Sequence, residues 1–330
     1  MKSKTYNNTD SQRGIALIMI LWVLTILMVL VLSFTYMTRT ETDAAISFRD
    51  GVAGKFLAEA GVQRGIMEIF YRQNNPQTDR SEVWRKDGTQ YKVETDKGGY
   101  LVSITDESGK VDINSAPEVI LRGLFTGLGL KAEDADIAVD SILDWKDADD
   151  LHRLNGAEND YYMSLPNPYK AKNAGFETLE ELIMVRGITL EILHGDGVKR
   201  GMIDFLTLHS QTGKINLKTA PREVLLAIPG ITSEAADAII LKRESGEITE
   251  NDILGILGQN YSLAAPYVSS FDSGIFTIDA LGYKDSEETG YGIRATVSIY
   301  KTNQYSYLYY KSPAGVKHDS SQKPAESLNN

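Results

Sequence analysis

A run of 20 residues without a charged side chain, from position 15 to position 34, constrains the fold of this chain more than any other feature. At about 1.5 Å of rise per residue, a helix of this length spans roughly 30 Å, the hydrocarbon thickness of a bilayer. Lys2, Lys4 and Arg13 precede the run, and charges of both signs follow it. This bias predicts one membrane span with a cytoplasmic N-terminus and the large C-terminal part outside the cytoplasm.

The residues after the predicted span continue a helical pattern. Positions 35–73 contain no proline, and apolar residues recur at helical spacing, first at Phe48, Val52 and Phe56 and then from Val62 onward. This periodicity predicts one uninterrupted helix that leaves the bilayer and lays an apolar stripe on a folded domain.

The rest of the chain alternates between strand and helix patterns. Alternating apolar residues predict five strands, at 90–94, 100–105, 275–282, 291–300 and 305–310, and the first two form a hairpin. The stretch between these groups, 107–268, is helical in character. We therefore expect an α+β fold in which a long N-terminal helix packs on a small antiparallel sheet and a large helical domain is inserted between strands.

The inserted stretch contains an internal repeat. GKVDINSAPEVIL at 109–121 returns as GKINLKTAPREVLL at 213–226. In each copy a short apolar piece leads into a helix, for which Ser115 and Thr219 are predicted as N-caps, with a proline in the first turn.

Glycine turns between apolar-periodic segments at 123–145, 179–193 and 225–244 make this domain SAM-like or helix-hairpin-helix-like. Some hairpins of this kind bind DNA through backbone N–H groups. Here their flanks are acidic, as is the whole chain with its net charge of −11, so we expect a packing scaffold and no nucleic-acid partner.

An acidic cluster within 144–160 has the most chemical content. Aspartates on a loop, followed by a second acidic pair, can wrap a hard divalent cation such as calcium. The twelve-residue spacing of an EF-hand is absent, and a surface loop without an ion is the alternative. The acidic residues are Asp144, Asp147, Asp149, Asp150, Glu158 and Asp160.

Enzymatic activity is not expected. The four histidines are scattered, and no stretch has the pattern of a catalytic nucleophile or a phosphate-binding loop. With no cysteine in the chain, disulfides and thiolate metal sites are excluded.

The N-terminus resembles the type IV pilin and pseudopilin superfamily. A basic leader that ends in Gly14, an apolar helix and an amphipathic continuation carry the resemblance. It implies that a prepilin peptidase cuts between Gly14 and Ile15. Most members carry Glu as the fifth residue after the cut, where this chain has Met19. Because a buried carboxylate is costly without a partner, its absence at Met19 fits a subunit with nothing above it, at the tip of a fibre, and random loss in a degenerate anchor is the alternative.

Further motifs resemble the minor pseudopilin K family of type II secretion systems. They are DWxDxD from 144, GAExxYY from 156, the Pro-x-Pro-Tyr run from 166 and NxGFxxLEEL from 173. The resemblance implies a pilin-like fold with a calcium-binding helical domain, and a tip complex with minor pseudopilins I and J on a pseudopilus fibre. The candidate ligands that it implies are Asp144, Asp147, Asp149, Glu158 and Asp160.

This resemblance places the chain in the inner membrane with its C-terminal part in the periplasm. A minor pilin of a type IV pilus and a membrane-anchored DNA-uptake receptor are the alternatives. The predicted parts are a cytoplasmic prepilin leader at 1–14, the membrane half of the long helix at 15–34, a pilin-like helix and first strands at 35–106, the inserted helical domain at 107–268, C-terminal strands at 269–311 and a disordered tail at 312–330.

Overall fold

The structure, a computed structural model, describes residues 9–75, 83–196, 199–246, 248–287, 290–301, 304–316 and 325–326. Residues 1–8 of the predicted leader lie outside the described residues, and the burial of residues 9–14, including Gly14, is not described either. The predicted α+β fold is confirmed.

The long helix α1 runs without interruption over Thr9–Asn74, as its apolar periodicity predicts. From Ile15 to beyond Phe48 its large apolar side chains are exposed, whereas Ala58, Val62, Ile66 and Ile69 are buried. Within the described residues, one helix, Ile15–Asn74, is long and apolar enough to cross a membrane. The helix thus divides into an uncovered half and a half that packs on the protein.

Ten strands lie among the described residues. They are β1 (Asp87–Thr95), β2 (Gly98–Asp106), β3 (Val111–Asp112), β4 (Leu206–Thr207), β5 (Ile215–Asn216), β6 (Val268–Ser269), β7 (Ile275–Tyr283), β8 (Tyr291–Lys301), β9 (Gln304–Lys311) and β10 (Ala325–Glu326). Six of them form one sheet in the order β10-β1-β2-β7-β8-β9, antiparallel except for the parallel β10–β1 pair. The five predicted strands are all present.

The second half of α1 packs closely on this sheet. Gly61 and Gly65 permit the approach, since a Cβ at either position would lie 2.9 Å from a side-chain carbon of Val102 or Ile278. The apolar core between helix and sheet is one cluster, which includes Val62, Val102 and Ile278. We call α1 from position 58 together with this sheet the body.

The chain leaves the body after β2 and returns to it at β7, and we keep the name helical domain for residues 107–268, which lie between these two strands. Its helices are α2 (Glu118–Gly127), α3 (Ala132–Lys146), α4 (Asn159–Met163), α5 (Leu190–His194), α6 (Arg222–Leu226), α7 (Ser233–Ser245), α8 (Glu250–Leu257) and α9 (Tyr261–Ala264). They surround a second, separate apolar core. The glycine turns between them have the expected shape, since Gly129, Gly187 and Gly230 adopt positive φ angles.

The internal repeat appears as two similar turns, each entered from a two-residue strand, β3 or β5. The Asp112 carboxylate accepts the N–H groups of Asn114 and Ser115, and Asn216 accepts that of Lys218. The predicted N-caps are wrong for this reason: Ser115 and Thr219 lie within these turns. Helices α2 and α6 begin two residues later, after Pro117 and Pro221.

The whole net charge of the chain belongs to the helical domain. Positions 107–268 hold 26 acidic and 15 basic residues, and the rest of the chain holds 19 of each. A domain with this excess of negative charge opposes the approach of a phosphate backbone.

Part of the predicted tail lies along the sheet. The Ala314 N–H donates to the Gly292 carbonyl at 2.8 Å, and β10 pairs with Tyr91 and Lys92 of β1. The sequence did not predict this pairing. The remaining tail residues lie outside the described part of the chain.

Candidate calcium centre

The acidic cluster lies where α3 ends and α4 begins. Asp144 is in the last turn of α3, Asp147 is its C-cap residue, and Glu158 directly precedes α4. The C-terminal end of a helix carries partial negative charge, which disfavours carboxylates there. This placement therefore favours a positive charge between the carboxyl groups.

Three of the predicted ligands converge. One carboxylate oxygen from each of Asp144, Asp147 and Glu158 lies within 4.8 Å of the other two. Asp144 is fully buried and Glu158 is 1% exposed. Gly156 lets the returning loop pass over this group, because a Cβ there would overlap the Asp144 carboxylate.

A cation from the protein meets one side of the cluster. Arg153 Nη1 donates to Asp144 Oδ1 at 2.5 Å and to Asp147 Oδ2 at 2.6 Å, and the Arg153 N–H donates to Asp144 Oδ2 at 3.2 Å. Sequence reasoning missed this residue, although an arginine inside an acidic loop is a signal of internal charge pairing. One guanidinium group offsets part of three negative charges.

On the other side of the cluster, the described residues supply no hydrogen-bond donor. Both carboxylate oxygens of Glu158 and Asp147 Oδ1 are buried without a hydrogen-bond partner in the structure. Burial first, and then the negative charges of Asp144 and Asp147, raise the pKa of Glu158 to about 7. Buried polar atoms in native proteins are nearly always satisfied, so these three oxygens are candidate ligand atoms for a cation.

The remaining acidic residues do not join this cluster. Asp149 is exposed and its Oδ1 accepts the Leu151 N–H at 2.8 Å. Asp160 is also exposed and pairs with His152 Nε2 at 2.9 Å. Asp150 accepts a hydrogen bond from the Asn159 side chain. The predicted set of five ligands is thus split into three convergent residues and two that lie outside.

An aromatic group supports the cluster from the core side. Tyr162 is fully buried and packs edge-on against Trp145, with ring centroids 5.1 Å apart, and it also stacks on Tyr169. Arg186 lies over the Tyr161 ring and donates to the Gly156 carbonyl at 3.0 Å. Tyr162 thus lies beneath the loop that carries Gly156, and Tyr161 is only partly buried.

The donor set fits calcium better than zinc or copper. Calcium takes six to eight oxygens from carboxylates, carbonyls and water, whereas the latter metals prefer nitrogen or sulfur. Asp144, Asp147 and Glu158 would supply the carboxylates, and loop carbonyls and water would complete the shell. A bound ion would have a structural role, because it would join the end of α3 to the start of α4.

Comparison with known proteins gives a consistent result. The family model of the type II secretion system protein K matches residues 101–195. The type II secretion system protein K of Pseudomonas aeruginosa is 27% identical over 247 residues, which are 69% of this chain and 72% of that protein. That of Pectobacterium carotovorum is 26% identical over 55% of this chain and 60% of its own length. A putative type II secretion system protein K of Escherichia coli K12 is 22% identical over 92% of this chain and 98% of that protein.

A solved structure has the same fold. It is a crystal structure of the GspK-GspI-GspJ complex from the type 2 secretion system of enterotoxigenic Escherichia coli. The matched chain is 16% identical, with a TM-score of 0.55, over 84% of this chain and 99% of that one. At 16% identity, this match shows that the two chains share a fold.

Proposed function

Because the chain belongs to the type II secretion system protein K family, we propose that this minor pseudopilin is cleaved after Gly14 and caps the tip of a periplasmic pseudopilus. The observation that carries the proposal is the division of α1. Its apolar first half is uncovered, as a subunit needs for membrane insertion and later fibre packing, and its second half is buried in the body. The inserted helical domain gives this subunit a large head.

The proposed assembly begins in the inner membrane, with the N-terminus cytoplasmic and the body periplasmic. The helix Ile15–Asn74 has the length and hydropathy for one span, and the basic residues precede it. The absence of cysteine permits a clean test with single cysteines at Ser3 and Asp96. In spheroplasts that lack prepilin peptidase, a membrane-impermeant maleimide should label Asp96→Cys and spare Ser3→Cys. The reverse pattern would overturn this topology.

The proposed partners are minor pseudopilins I and J. The relative of known structure is in complex with GspI and GspJ, and this chain has Met19 in place of the carboxylate that internal fibre subunits use. A tip subunit needs no such carboxylate. Tagged full-length chain, expressed with I and J in membranes, should recover both partners.

The variant Met19→Glu tests the tip position separately. We expect it to fold and to recover I and J as well as the wild type does, since nothing above it has to pair with residue 19. Loss of the complex in Met19→Glu, with body and helical domain folded, would contradict a neutral role for this position. Val23→Glu in the same span serves as a matched control for the cost of a carboxylate in the membrane.

We also propose that one calcium ion is bound by Asp144, Asp147 and Glu158 and stabilises the helical domain. The unpartnered oxygens of Glu158 and Asp147 support this proposal. Calorimetric titration of calcium into chelator-treated full chain in detergent should show binding, which Glu158→Gln and Asp144→Asn abolish. Asp134→Asn, an exposed change on α3, should bind like the wild type. Binding that survives Glu158→Gln would place the ion elsewhere.

A further inference from the structure

The loop between α3 and α4 presents two leucines to solvent. Leu151 is 76% exposed and Leu154 is 96% exposed. Leu154 is the most exposed large apolar residue in the part of the chain that the structure describes, the uncovered half of α1 included. One exposed leucine is ordinary on a protein surface, whereas two of them three positions apart form an apolar protrusion. We call residues 148–155 the leucine loop.

Hydrogen bonds fix this loop on both sides of Leu154. Arg153, which precedes it, donates to the fully buried Asp144 at 2.5 Å. Asn155, which follows it, donates to the buried Asp140 carboxylate through its backbone N–H at 3.0 Å and through its side-chain amide at 3.1 Å. Because both neighbours reach inward to buried carboxylates, Leu154 is held outward between them.

The neighbours of Leu151 are fixed in the same way. Asp150 accepts a hydrogen bond from the Asn159 amide at 2.7 Å, and His152 Nε2 pairs with Asp160 at 2.9 Å. Asn159 and Asp160 begin α4, so this half of the loop is tied to that helix. The leucine loop thus reverses the usual arrangement, in which apolar side chains face the core. A backbone that is already fixed lowers the entropy cost of binding a partner.

Charge narrows the kind of partner that the loop can bind. Three carboxylates on or beside the loop, those of Asp149, Asp150 and Asp160, are exposed. The two basic side chains of the loop, His152 and Arg153, are already paired with carboxylates. The leucine loop therefore offers apolar surface with an acidic rim.

An acidic rim opposes three possible occupants. It repels the phosphates of nucleic acid and of anionic lipid. It also repels a second copy of this chain, because the helical domain of each copy holds 26 acidic and 15 basic residues. A protein surface that combines apolar side chains with lysine or arginine is attracted instead.

We propose that the leucine loop is a docking site for a partner protein, in which Leu151 and Leu154 enter an apolar surface that is rimmed by lysine or arginine. Burial of the leucines supplies the affinity. The carboxylates steer the approach of basic side chains and set the orientation of the partner. The inference goes beyond the proposed function, since it depends on neither the cleavage nor the tip position.

The test uses the full chain in phosphatidylcholine nanodiscs, which shield the apolar half of α1, with calcium present. The probe is an immobilised amphipathic peptide of about 14 residues, with leucine on one face and lysine on the other. A second peptide has glutamate in place of every lysine. Two further sensors display vesicles of phosphatidylcholine with phosphatidylglycerol, and a second copy of the chain. The Kd for each surface is measured after the signal of empty nanodiscs is subtracted.

We expect the wild type to bind the leucine–lysine peptide. Leu151→Ser and Leu154→Ser should each weaken this binding by about tenfold or more, because each removes a leucine from the contact. Leu241→Ser, the same change at a residue of α7 that is 68% exposed, should bind like the wild type. Since none of these changes alters the net charge, the difference isolates the apolar contact. Equal unfolding midpoints of the three variants verify that each one folds.

A second pair of variants isolates the acidic rim. Asp149→Asn combined with Asp150→Asn should weaken binding of the leucine–lysine peptide by roughly threefold. Glu133→Gln combined with Asp134→Asn makes an equal change of charge at two exposed positions of α3. This control should weaken binding less, because its carboxylates lie outside the leucine loop.

Four results would overturn the proposal. A wild type that does not bind the leucine–lysine peptide would show that the loop does not dock such a surface. Leu154→Ser that binds as tightly as the wild type would remove the leucine from the contact. Equal affinity for the leucine–glutamate peptide would show that the acidic rim selects nothing. Tighter binding to vesicles or to the second copy, lost in Leu154→Ser, would assign the loop to another occupant.

Discussion

The body and the helical domain differ in what their interiors contain. Between α1 and the sheet the core is apolar, and the buried acid on the helix there, Glu68, is paired with Arg64. The helical domain buries several carboxylates within one domain, including Asp112, Asp140, Asp144 and Glu158. Asp112 and Asp140 accept hydrogen bonds from neighbouring groups, whereas Glu158 accepts none.

This difference indicates how each part is stabilised. The body has long elements and a continuous apolar interface, so burial of apolar surface suffices. The helical domain consists of short helices joined by turns, and it carries the whole net charge of −11. We therefore expect the helical domain to depend on a bound cation and the body to be indifferent to it.

Removing calcium should have the largest effect, and only on the helical domain. A ligand present at a thousand times its Kd stabilises the native state by about 4 kcal/mol. Hydrogen–deuterium exchange of the full chain, with calcium and with chelator, should show faster exchange in α3 and α4 after chelation. Exchange in β2 and β7 should be unchanged. Equal loss of protection in both parts would contradict the comparison.

A pair of core truncations should distinguish the effects of the two cores on calcium binding. Ile66→Ala in α1 and Ile142→Ala in α3 each remove a buried side chain, at a cost of about 3 kcal/mol. We expect Ile66→Ala to raise exchange rates in the sheet and to leave calcium affinity unchanged. Ile142→Ala, two residues from Asp144, should weaken calcium binding in calorimetry. Equal calcium affinities in the two variants would show that the core and the site are not coupled.

Overpacking the contact between α1 and the sheet should destabilise the body by about 2 kcal/mol. In Gly61→Ala the new methyl group would meet Val102, Ala280 and Tyr100, whereas in Gly51→Ala it would meet no atom within 4 Å. Thermal unfolding followed by circular dichroism should show a lower midpoint for Gly61→Ala alone. A lower midpoint for both variants would mean that the substitutions act on the helix α1 and not on its packing against the sheet.

Replacing the buried interdomain arginine should have the smallest effect. Arg243 of α7 lies 3.5 Å from Asp87 of β1, and Asp87 also pairs with Arg85. Since Asp87 keeps this second partner, Arg243→Met should lower stability by about 1 kcal/mol, the order of the hydrogen bond from Arg243 to the Ala220 carbonyl that it removes. Arg85→Met is the comparison variant in the same unfolding measurement. A large loss in Arg243→Met would mean that the two domains depend on each other for stability.

The sequence allowed most of the architecture to be predicted because its patterns are local. The helical periodicity of α1 and the alternation in β1, β2 and β7 to β9 each lie within one segment. The N-caps at Ser115 and Thr219 were wrong because both residues still lie in turns held by the side chains of Asp112 and Asn216, and the helices begin only after the prolines that follow. The extent of such a turn depends on its side-chain geometry, which residue types alone do not determine.

The candidate site was predicted in part. Asp144, Asp147 and Glu158 converge because the end of α3 and the start of α4 are brought together by the loop between them. Asp149 and Asp160 are neighbours of these residues in sequence, yet their side chains turn to solvent or to His152. The role of Arg153 and the pairing of β10 with β1 depend on tertiary contacts, which no local pattern records.

The most direct test of the central proposal is the mass of the N-terminal peptide of the protein recovered from membranes that contain an active prepilin peptidase. We expect a chain that begins at Ile15. Gly14→Val, which alters the residue before the cut, should keep the leader under the same conditions. A wild-type chain that still carries residues 1–14, with the peptidase shown to be active on another substrate, would contradict a processed fibre subunit and would leave α1 as a permanent anchor.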